Sequence, residues 1–472
     1  RRQRQMCIRD RWTVVKKSQN SVPFASSKPG LSEPIDEKRR GLLASSAIAM
    51  AGSLAPVQSA LASASSSIGT FIDQSVRVSA GRLDAQVAAI IKNFQMPQID
   101  PARQGSRFDV DLHRLVTQVK VPETGEKLKV SGLLAIPVGL SGPLPVVSWQ
   151  HGTILSFDQV PSNMIRLRDP GYQMSDSADS LETLLNVHRF AGQGYAVIAA
   201  DYVGKGPFRK NRGECYAVKS ATVQTCLSVL EVGLSALRNL KKTPGPLFLH
   251  GWSQGALNTQ WLHQELRRQR RTVVGTVVDS PFNDLSEAWR FWSGNQSFPL
   301  PAGASSYPAM PTWVSLCMIV TLGSYEINYG LKGLLQSAVR PEFYELAAKF
   351  WSDYQLQFDP SKPFPSGSEL LVPGFFDRHT SEVNAAFLRR IAANAATFYR
   401  YDAPIRFTYG LADEAIHPAM VGRALAAGGG QAVGVAVPGG SHRGTFVASL
   451  YGDAKLLGGR ENALEWFNAL RR

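Results

Sequence analysis

Cysteine is scarce in this sequence of 472 residues, which contains only Cys7, Cys215, Cys226 and Cys317. No two of them form a C-x-x-C pair, and no His/Cys spacing typical of a zinc site occurs. The sequence therefore predicts neither a metal site nor another cofactor. Cys226 falls on one face of a predicted helix, so both packing in the core and a disulfide with Cys215 agree with its position.

Clusters of basic residues of the kind that bind nucleic acids are also missing. The net charge is +14, but residues 1–40 alone hold 11 Lys/Arg and 4 Asp/Glu, which accounts for half of it. The rest of the chain is only mildly basic, with no basic helix and no interleaving of aromatic and basic residues. The sequence therefore predicts no nucleic-acid partner and leaves transient contact with lipid interfaces open.

A long hydrophobic run is absent as well. Residues 41–72 carry no charge, but their apolar part, GLLASSAIAMAGSLAP, is too short and too rich in serine to span a membrane. It follows the basic triplet at 38–40 and precedes A-x-A sites at 60–62 and 62–64, as in a secretory signal peptide. A twin-arginine signal fits RRGLL more loosely. We therefore expect a leader over 1–64 and a secreted or periplasmic protein.

Short apolar segments alternate with helical patterns along most of the chain. The sequence predicts a peripheral helix at 67–93, an antiparallel hairpin from 108–121 and 127–137, and a polar loop at 156–180. Further strands are predicted at 146–150, 195–202, 247–250, 272–278, 402–410 and 432–437, with helices at 181–192, 218–240, 256–269 and 461–470. This alternation predicts an α/β fold with a mostly parallel, doubly wound sheet, whose ligands bind at the carboxyl ends of the strands.

The alternation stops between residues 282 and 401. This segment reads as helices and Pro/Gly-rich loops, and it is too long to be a structureless loop. We expect a helical cap there, inserted before the last two strands and dividing the core into 65–281 and 402–472. Its many aromatic side chains either pack the cap onto the core or line an apolar pocket beneath the cap.

The segment PLFLHGWSQG at 246–255 resembles a nucleophile elbow. A buried strand leads into Gly-Trp-Ser-Gln-Gly, and a helix follows at once. Glycines two positions either side of Ser253 relieve the crowding of such a tight turn. This context makes Ser253 the candidate nucleophile.

A serine nucleophile needs a base, and His442 is the best candidate among eight histidines. It lies in VPGGSHRGTF, on a glycine-rich loop after the last predicted strand, where an imidazole can reach the strand ends. His417 is its main rival. We expect His250 to be buried in the elbow strand and His151 to be structural.

Asp413 is the candidate acid that orients the base. It follows the second-last strand, in GLADEAIHP, and the order Ser253, Asp413, His442 is that of hydrolases with a nucleophile elbow. Asp279, at the end of the strand before the cap, is the alternative acid. Glu414, which is adjacent to Asp413, is expected to be solvated.

An oxyanion needs two backbone donors. The N–H of Gln254, at the start of the helix after the elbow, is one candidate. The second comes from the loop after the third strand, where Thr153 follows His151 and Gly152. Asp201, which ends its strand nearby, is expected to hold a structural turn.

With these residues located, the chain resembles the α/β-hydrolase superfamily and, more narrowly, the secretory lipase family of capped lipases and esterases. The resemblance rests on VVSWQHGT, AADYVGKG, HGWSQGA, VDSPFNDL, YGLADEAIHP and GGSHRG. It implies a Ser253–Asp413–His442 triad and an oxyanion hole at Thr153 and Gln254. It also implies a cap that gates an acyl tunnel.

These observations predict an exported serine hydrolase that acts on small-molecule or lipid carboxyl esters. Trp252 departs from the family, which more often has a smaller aromatic residue before the nucleophile. A peptidase or an acyltransferase with the same triad remains an alternative. So does a non-catalytic lipid-binding protein on a hydrolase fold.

Overall fold

The computed structural model describes residues 71–94, 99–355 and 364–472. The predicted leader over 1–64 lies outside these ranges. The division into core and cap at residues 281 and 401 stays a prediction about domain boundaries.

A mixed sheet of nine strands organises the described part of the chain. Its strands are β1 (Ile72–Val78), β2 (Val110–Lys120), β3 (Lys127–Pro137), β4 (Pro143–Gln150), β5 (Ala196–Ala200), β6 (Thr243–Trp252), β7 (Gly275–Asp279), β8 (Ile405–Gly410) and β9 (Ala432–Val437). Their spatial order is β1-β2-β3-β5-β4-β6-β7-β8-β9. The strands from β5 to β9 in this order are parallel, and the antiparallel hairpin lies at the other edge. The predicted fold class is confirmed.

Both faces of the sheet are buried, because neighbouring apolar residues on the central strands point to opposite sides. Val147 and Phe248 pack on one face, and Val146 and Leu249 pack on the other. The short continuous apolar runs in the sequence therefore mark strands covered by helices on both sides.

The helices of the core connect these strands. They are α1 (Ala80–Ile90), α2 (Leu181–Phe190), α3 (Lys219–Asn239) and α4 (Gln254–Arg268) before the cap. After the cap come α11 (Ala419–Gly428), α12 (His442–Tyr451) and α13 (Ala463–Leu470). In the described ranges, α3 alone is long and apolar enough to span a membrane, but 61% of its apolar window is buried, as in a core helix.

Helices fill the interval between β7 and β8, as predicted for the cap. They are α5 (Leu285–Trp292), α6 (Trp313–Tyr329), α7 (Leu334–Ala338), α8 (Pro341–Asp353), α9 (Gly367–Leu370) and α10 (Glu382–Ala393). Several of their aromatic side chains contact one another, and others contact the core. Trp289, for example, contacts the rings of Phe375 and Phe387.

Two local predictions are wrong. Residues 67–93 were expected to form one helix, but in the described ranges Ile72–Val78 is a strand that pairs with β2, and the helical part is Ala80–Ile90 with a 3₁₀ turn at Ile91–Asn93. Ser79 starts that helix, because its side chain accepts a hydrogen bond from the Arg82 N–H. The polar loop at 156–180 contains a 3₁₀ helix from Pro161 to Arg168.

The cysteines of the described ranges are free thiols. Cys215, Cys226 and Cys317 are all buried, so core packing, and not a disulfide, accounts for Cys226. Burial raises the pKa of each thiol to about 12. The thiols therefore stay protonated and unreactive at neutral pH.

Candidate active site

Ser253 lies on a strained turn between β6 and α4. Its φ and ψ angles are 57° and −120°, which are unusual for a residue other than glycine. Its N–H donates to the carbonyl of Asp279 at 2.9 Å, so the neighbouring strand holds the turn. A Cβ on Gly251 would stand 2.2 Å from the Thr259 hydroxyl oxygen. A Cβ on Gly255 would stand 1.9 Å from the backbone carbonyl oxygen of Gln150. The two glycines are therefore sterically required.

The imidazole of His442 connects Ser253 to Asp413. Its Nε2 is 3.0 Å from the Ser253 hydroxyl oxygen, and its Nδ1 is 3.0 and 3.1 Å from the two Asp413 carboxylate oxygens. A nitrogen that faces a carboxylate carries the ring proton, so Nε2 is left as an acceptor for the serine proton. All three side chains are buried.

Asp413 is fixed in the loop after β8. One of its carboxylate oxygens accepts hydrogen bonds from the N–H groups of Ala415 and Ile416, at 3.1 and 2.8 Å. Tyr307 of the cap donates its hydroxyl proton to the Asp413 carbonyl at 2.5 Å. Both the loop and the cap therefore hold the carboxylate toward His442.

The predicted oxyanion donors, Thr153 and Gln254, flank the elbow. In the described part of the chain neither of their backbone N–H groups donates to another protein group. The Thr153 hydroxyl pairs with the Tyr216 hydroxyl at 2.7 Å, and the Gln254 side chain donates to Glu214 at 2.8 Å. The side chains are thus held while the backbone donors stay free to bind a ligand.

The alternative acid and base lie outside this chain of hydrogen bonds. Asp279 pairs with His250 at 2.8 Å beneath the elbow, and both residues are buried. His417 stacks on Phe298 at 4.9 Å between ring centroids, and burial lowers its pKa. In the described ranges the Ser253 hydroxyl is therefore paired with His442 and with neither alternative.

Three further residues near the site, His151, Asp201 and Glu414, are held by stacking or hydrogen bonds. His151 is buried and stacks on Tyr202, in agreement with a structural role. Asp201 accepts hydrogen bonds from the Ser131 hydroxyl and the Ser162 N–H, so it holds a turn as expected. Glu414, expected to be solvated, instead accepts the N–H of His442 at 3.0 Å.

Two tryptophans that the sequence did not assign enclose the imidazole. The ring centroids of Trp252 and Trp313 lie 5.1 and 5.7 Å from that of His442. Trp313 begins the cap helix α6, so the cap contributes an aromatic wall to the site. The sequence feature that pointed to such a wall was the high aromatic content of the cap segment, and this feature does not distinguish Trp313 from the other aromatic residues of the cap.

Comparisons with known proteins locate this fold among hydrolases. No protein-family model matches the chain, and no curated protein matches it. Among solved structures, the rice cell wall degrading esterase LipA from Xanthomonas oryzae is 19% identical with a TM-score of 0.63, and the match covers 84% of this chain and 98% of LipA. Candida antarctica lipase A in its closed state is 14% identical with a TM-score of 0.52, over 79% and 77%. These similarities show the α/β-hydrolase fold.

Proposed function

We propose that this protein is a serine hydrolase of carboxyl esters, with Ser253 as nucleophile, His442 as base and Asp413 as the acid that orients the base. The observation that carries this function is the continuous chain of hydrogen bonds from Asp413 through His442 to Ser253. The strained elbow supports the same role, because it lifts the serine hydroxyl clear of the sheet.

The reaction follows from these positions. Ser253 attacks the ester carbonyl while His442 Nε2 takes its proton, and the N–H groups of Thr153 and Gln254 hold the oxyanion. The protonated imidazole then gives its proton to the leaving alcohol. Water, activated by the same histidine, attacks the acyl-enzyme and releases the acid.

Esters of apolar acids or alcohols are the proposed substrates. Trp252 and Trp313 beside His442 form apolar walls that suit such groups. The chain shares its fold with a named esterase and a named lipase, so both short and long acyl chains are candidates. A series of p-nitrophenyl esters from acetate to palmitate measures the preference.

The triad is tested with a fluorophosphonate probe, which reacts with an activated serine. Wild-type protein is expected to be labelled and to hydrolyse p-nitrophenyl esters, and Ser253→Ala to do neither while keeping the wild-type melting temperature. Turnover by Ser253→Ala refutes the assignment. An unlabelled wild-type protein supports a non-catalytic lipid-binding role instead. Matched p-nitroanilides and added alcohols test for a peptidase or an acyltransferase.

We further propose that the protein is exported. The basic, apolar and small-residue regions over 38–64 support this location. Expression of the full chain with N-terminal sequencing of the exported product tests it. Cleavage near residues 61–65 is the expected result, and a product that retains the leader inside the cell contradicts export.

A further inference from the structure

A fully buried ion pair contacts the side chain of Gln254, one residue of the predicted oxyanion hole. The Lys205 ammonium is 2.9 Å from the Glu214 carboxylate, and both side chains are about 1% exposed. Burying two charges is costly, and replacing such a pair by apolar residues is often neutral or stabilising. Stability alone is therefore a weak explanation for this pair.

Tyr354, the residue after cap helix α8, inserts its hydroxyl group into this ion pair. The hydroxyl donates to Glu214 at 2.6 Å and accepts a hydrogen bond from Lys205. Burial raises the pKa of the phenol, so it stays protonated and able to donate. Tyr354 is fully buried, and its φ of 48° is a strained value for a bulky residue.

The Lys205 ammonium makes three polar contacts in this arrangement. It forms the ion pair with Glu214, and it donates hydrogen bonds to the Tyr354 hydroxyl and to the backbone carbonyl of Ile154, the last at 3.3 Å. Burial lowers the pKa of Lys205 to about 8, with Glu214 acting in the opposite direction. Lys205 therefore stays protonated at neutral pH, and the charged ammonium can donate to the Ile154 carbonyl.

The cluster contacts one predicted oxyanion residue, Gln254, and the neighbour of the other, Ile154. The Ile154 carbonyl lies in the second peptide group after the one that carries the Thr153 N–H, so Lys205 holds the loop just beyond the first donor. Glu214 accepts the side-chain amide of Gln254, whose backbone N–H is the second donor. The cluster thus contacts Gln254 and the residue next to Thr153, and it acts on the hole through them.

The backbone of the cap is joined to the same loop. The N–H of Phe157 donates to the Tyr354 carbonyl at 3.1 Å, and Ser156 and Gln355 form an antiparallel bridge. Tyr354 therefore meets the loop after Thr153 through its side chain and its main chain together.

We propose that Lys205, Glu214 and Tyr354 are positioning residues that hold the Thr153 and Gln254 N–H groups in place for the oxyanion, and that the cap completes this arrangement through Tyr354. This inference rests on the proposed function. It makes the cap a part of the catalytic geometry as well as a cover. Loss of the Tyr354 hydroxyl leaves the Lys205–Glu214 pair without its third partner, so the hole loosens.

Tyr354→Phe tests this role, with Tyr325→Phe as its matched control. Tyr325 is also a fully buried cap tyrosine, and its hydroxyl donates to a core carbonyl, that of Ala217, at 2.8 Å. Tyr354→Phe is expected to lower kcat on p-nitrophenyl butyrate at least about tenfold with KM changed less than about twofold, as for a weakened oxyanion hole. Tyr325→Phe is expected to keep both constants within about twofold.

Gln254→Met provides a second variant, because it removes the amide that binds Glu214 and keeps the backbone N–H. It is expected to lower kcat to a similar degree, even where Tyr354→Phe fails to fold. Unchanged kcat in either folded variant, or equal losses in Tyr354→Phe and Tyr325→Phe, overturns the positioning role. Turnover by Ser253→Ala overturns the proposed function itself, which is a separate result.

Discussion

The indole Nε1 of Trp252 donates a hydrogen bond to the backbone carbonyl of His442 at 3.1 Å. The residue before the candidate nucleophile therefore holds the main chain of the candidate base. The same ring lies so close to Gly152 that a Cβ there would stand 2.9 Å from it. One side chain at the end of the elbow strand thus contacts both the His442 main chain and the loop before Thr153.

Trp252→Phe is expected to lower kcat about fivefold, because a net hydrogen bond of about 1 kcal/mol to the His442 loop is lost. Trp289→Phe is the control: its indole is buried, and in the described ranges its N–H has no partner to lose. Both variants are expected to lose some packing energy. Steady-state kinetics and thermal melts check this, and equal kcat in the two variants contradicts the role of the hydrogen bond.

Asp413→Asn is expected to lower kcat by roughly 10³–10⁴-fold, because an amide no longer selects the imidazole tautomer that leaves Nε2 unprotonated. Asp279→Asn, which changes the acid paired with His250, is expected to lower the melting temperature and to keep kcat within about tenfold. Stopped assays on p-nitrophenyl butyrate distinguish them. If Asp279→Asn loses more kcat than Asp413→Asn, then Asp279, at the end of β7, is the acid that orients the base.

Gly255→Ala is expected to destabilise the fold by about 3 kcal/mol or more, since the new Cβ meets a backbone carbonyl of β4 that cannot move away. Gly422→Ala, on the exposed side of α11 with open space around it, is expected to stabilise by about 0.5–1 kcal/mol. Urea unfolding measures both. If Gly255→Ala has the wild-type free energy of unfolding, the turn at Ser253 has more room for a Cβ at position 255 than the structure shows.

Glu182→Gln is expected to stabilise the protein at alkaline pH. Burial raises the pKa of this carboxyl from 4.5 to about 7. Between these values the folded state holds the extra proton, so the contribution of this group to the free energy of unfolding falls as the pH rises. Removing the charge is expected to raise that free energy by about 1–3 kcal/mol at pH 8 and by little at pH 4.5.

The control for this pH dependence is Glu342→Gln, an exposed glutamate in the first turn of α8. Its effect is expected to stay within about 0.5 kcal/mol at both pH values. Urea unfolding curves at pH 4.5, 6 and 8 give the comparison. A stabilisation by Glu182→Gln that does not depend on pH contradicts the assignment to its charge.

Local patterns in the sequence were enough to predict most of the sheet. The hairpin alternates with period two, and the parallel strands are short apolar runs bounded by turns, so both signals are local. The strand β1 was missed because it is a polar edge strand, half exposed, whose alternation in IDQSVRV is weak. Ser79, a standard helix-starting residue, was the sign that the helix begins only after it.

The candidate site was predictable where each residue has a fixed place relative to a strand end. Ser253, Asp413 and His442 each follow a strand of the parallel sheet, and the structure brings them together. The contacts of Glu414 and Trp313 depend instead on loop conformation and on how the cap packs. The same holds for the cluster of Lys205, Glu214 and Tyr354. Tyr354 lies 149 positions from Lys205, and no local pattern encodes such a contact.

The order of the site residues along the chain has a consequence for biosynthesis. Ser253 precedes the cap, whereas its proposed partner His442 lies 189 positions later. Translation runs from the amino terminus, so a ribosome-bound intermediate carries the Ser253 hydroxyl before the imidazole of His442 exists. Under the proposed triad, a nascent chain that does not yet include His442 is therefore inert toward esters.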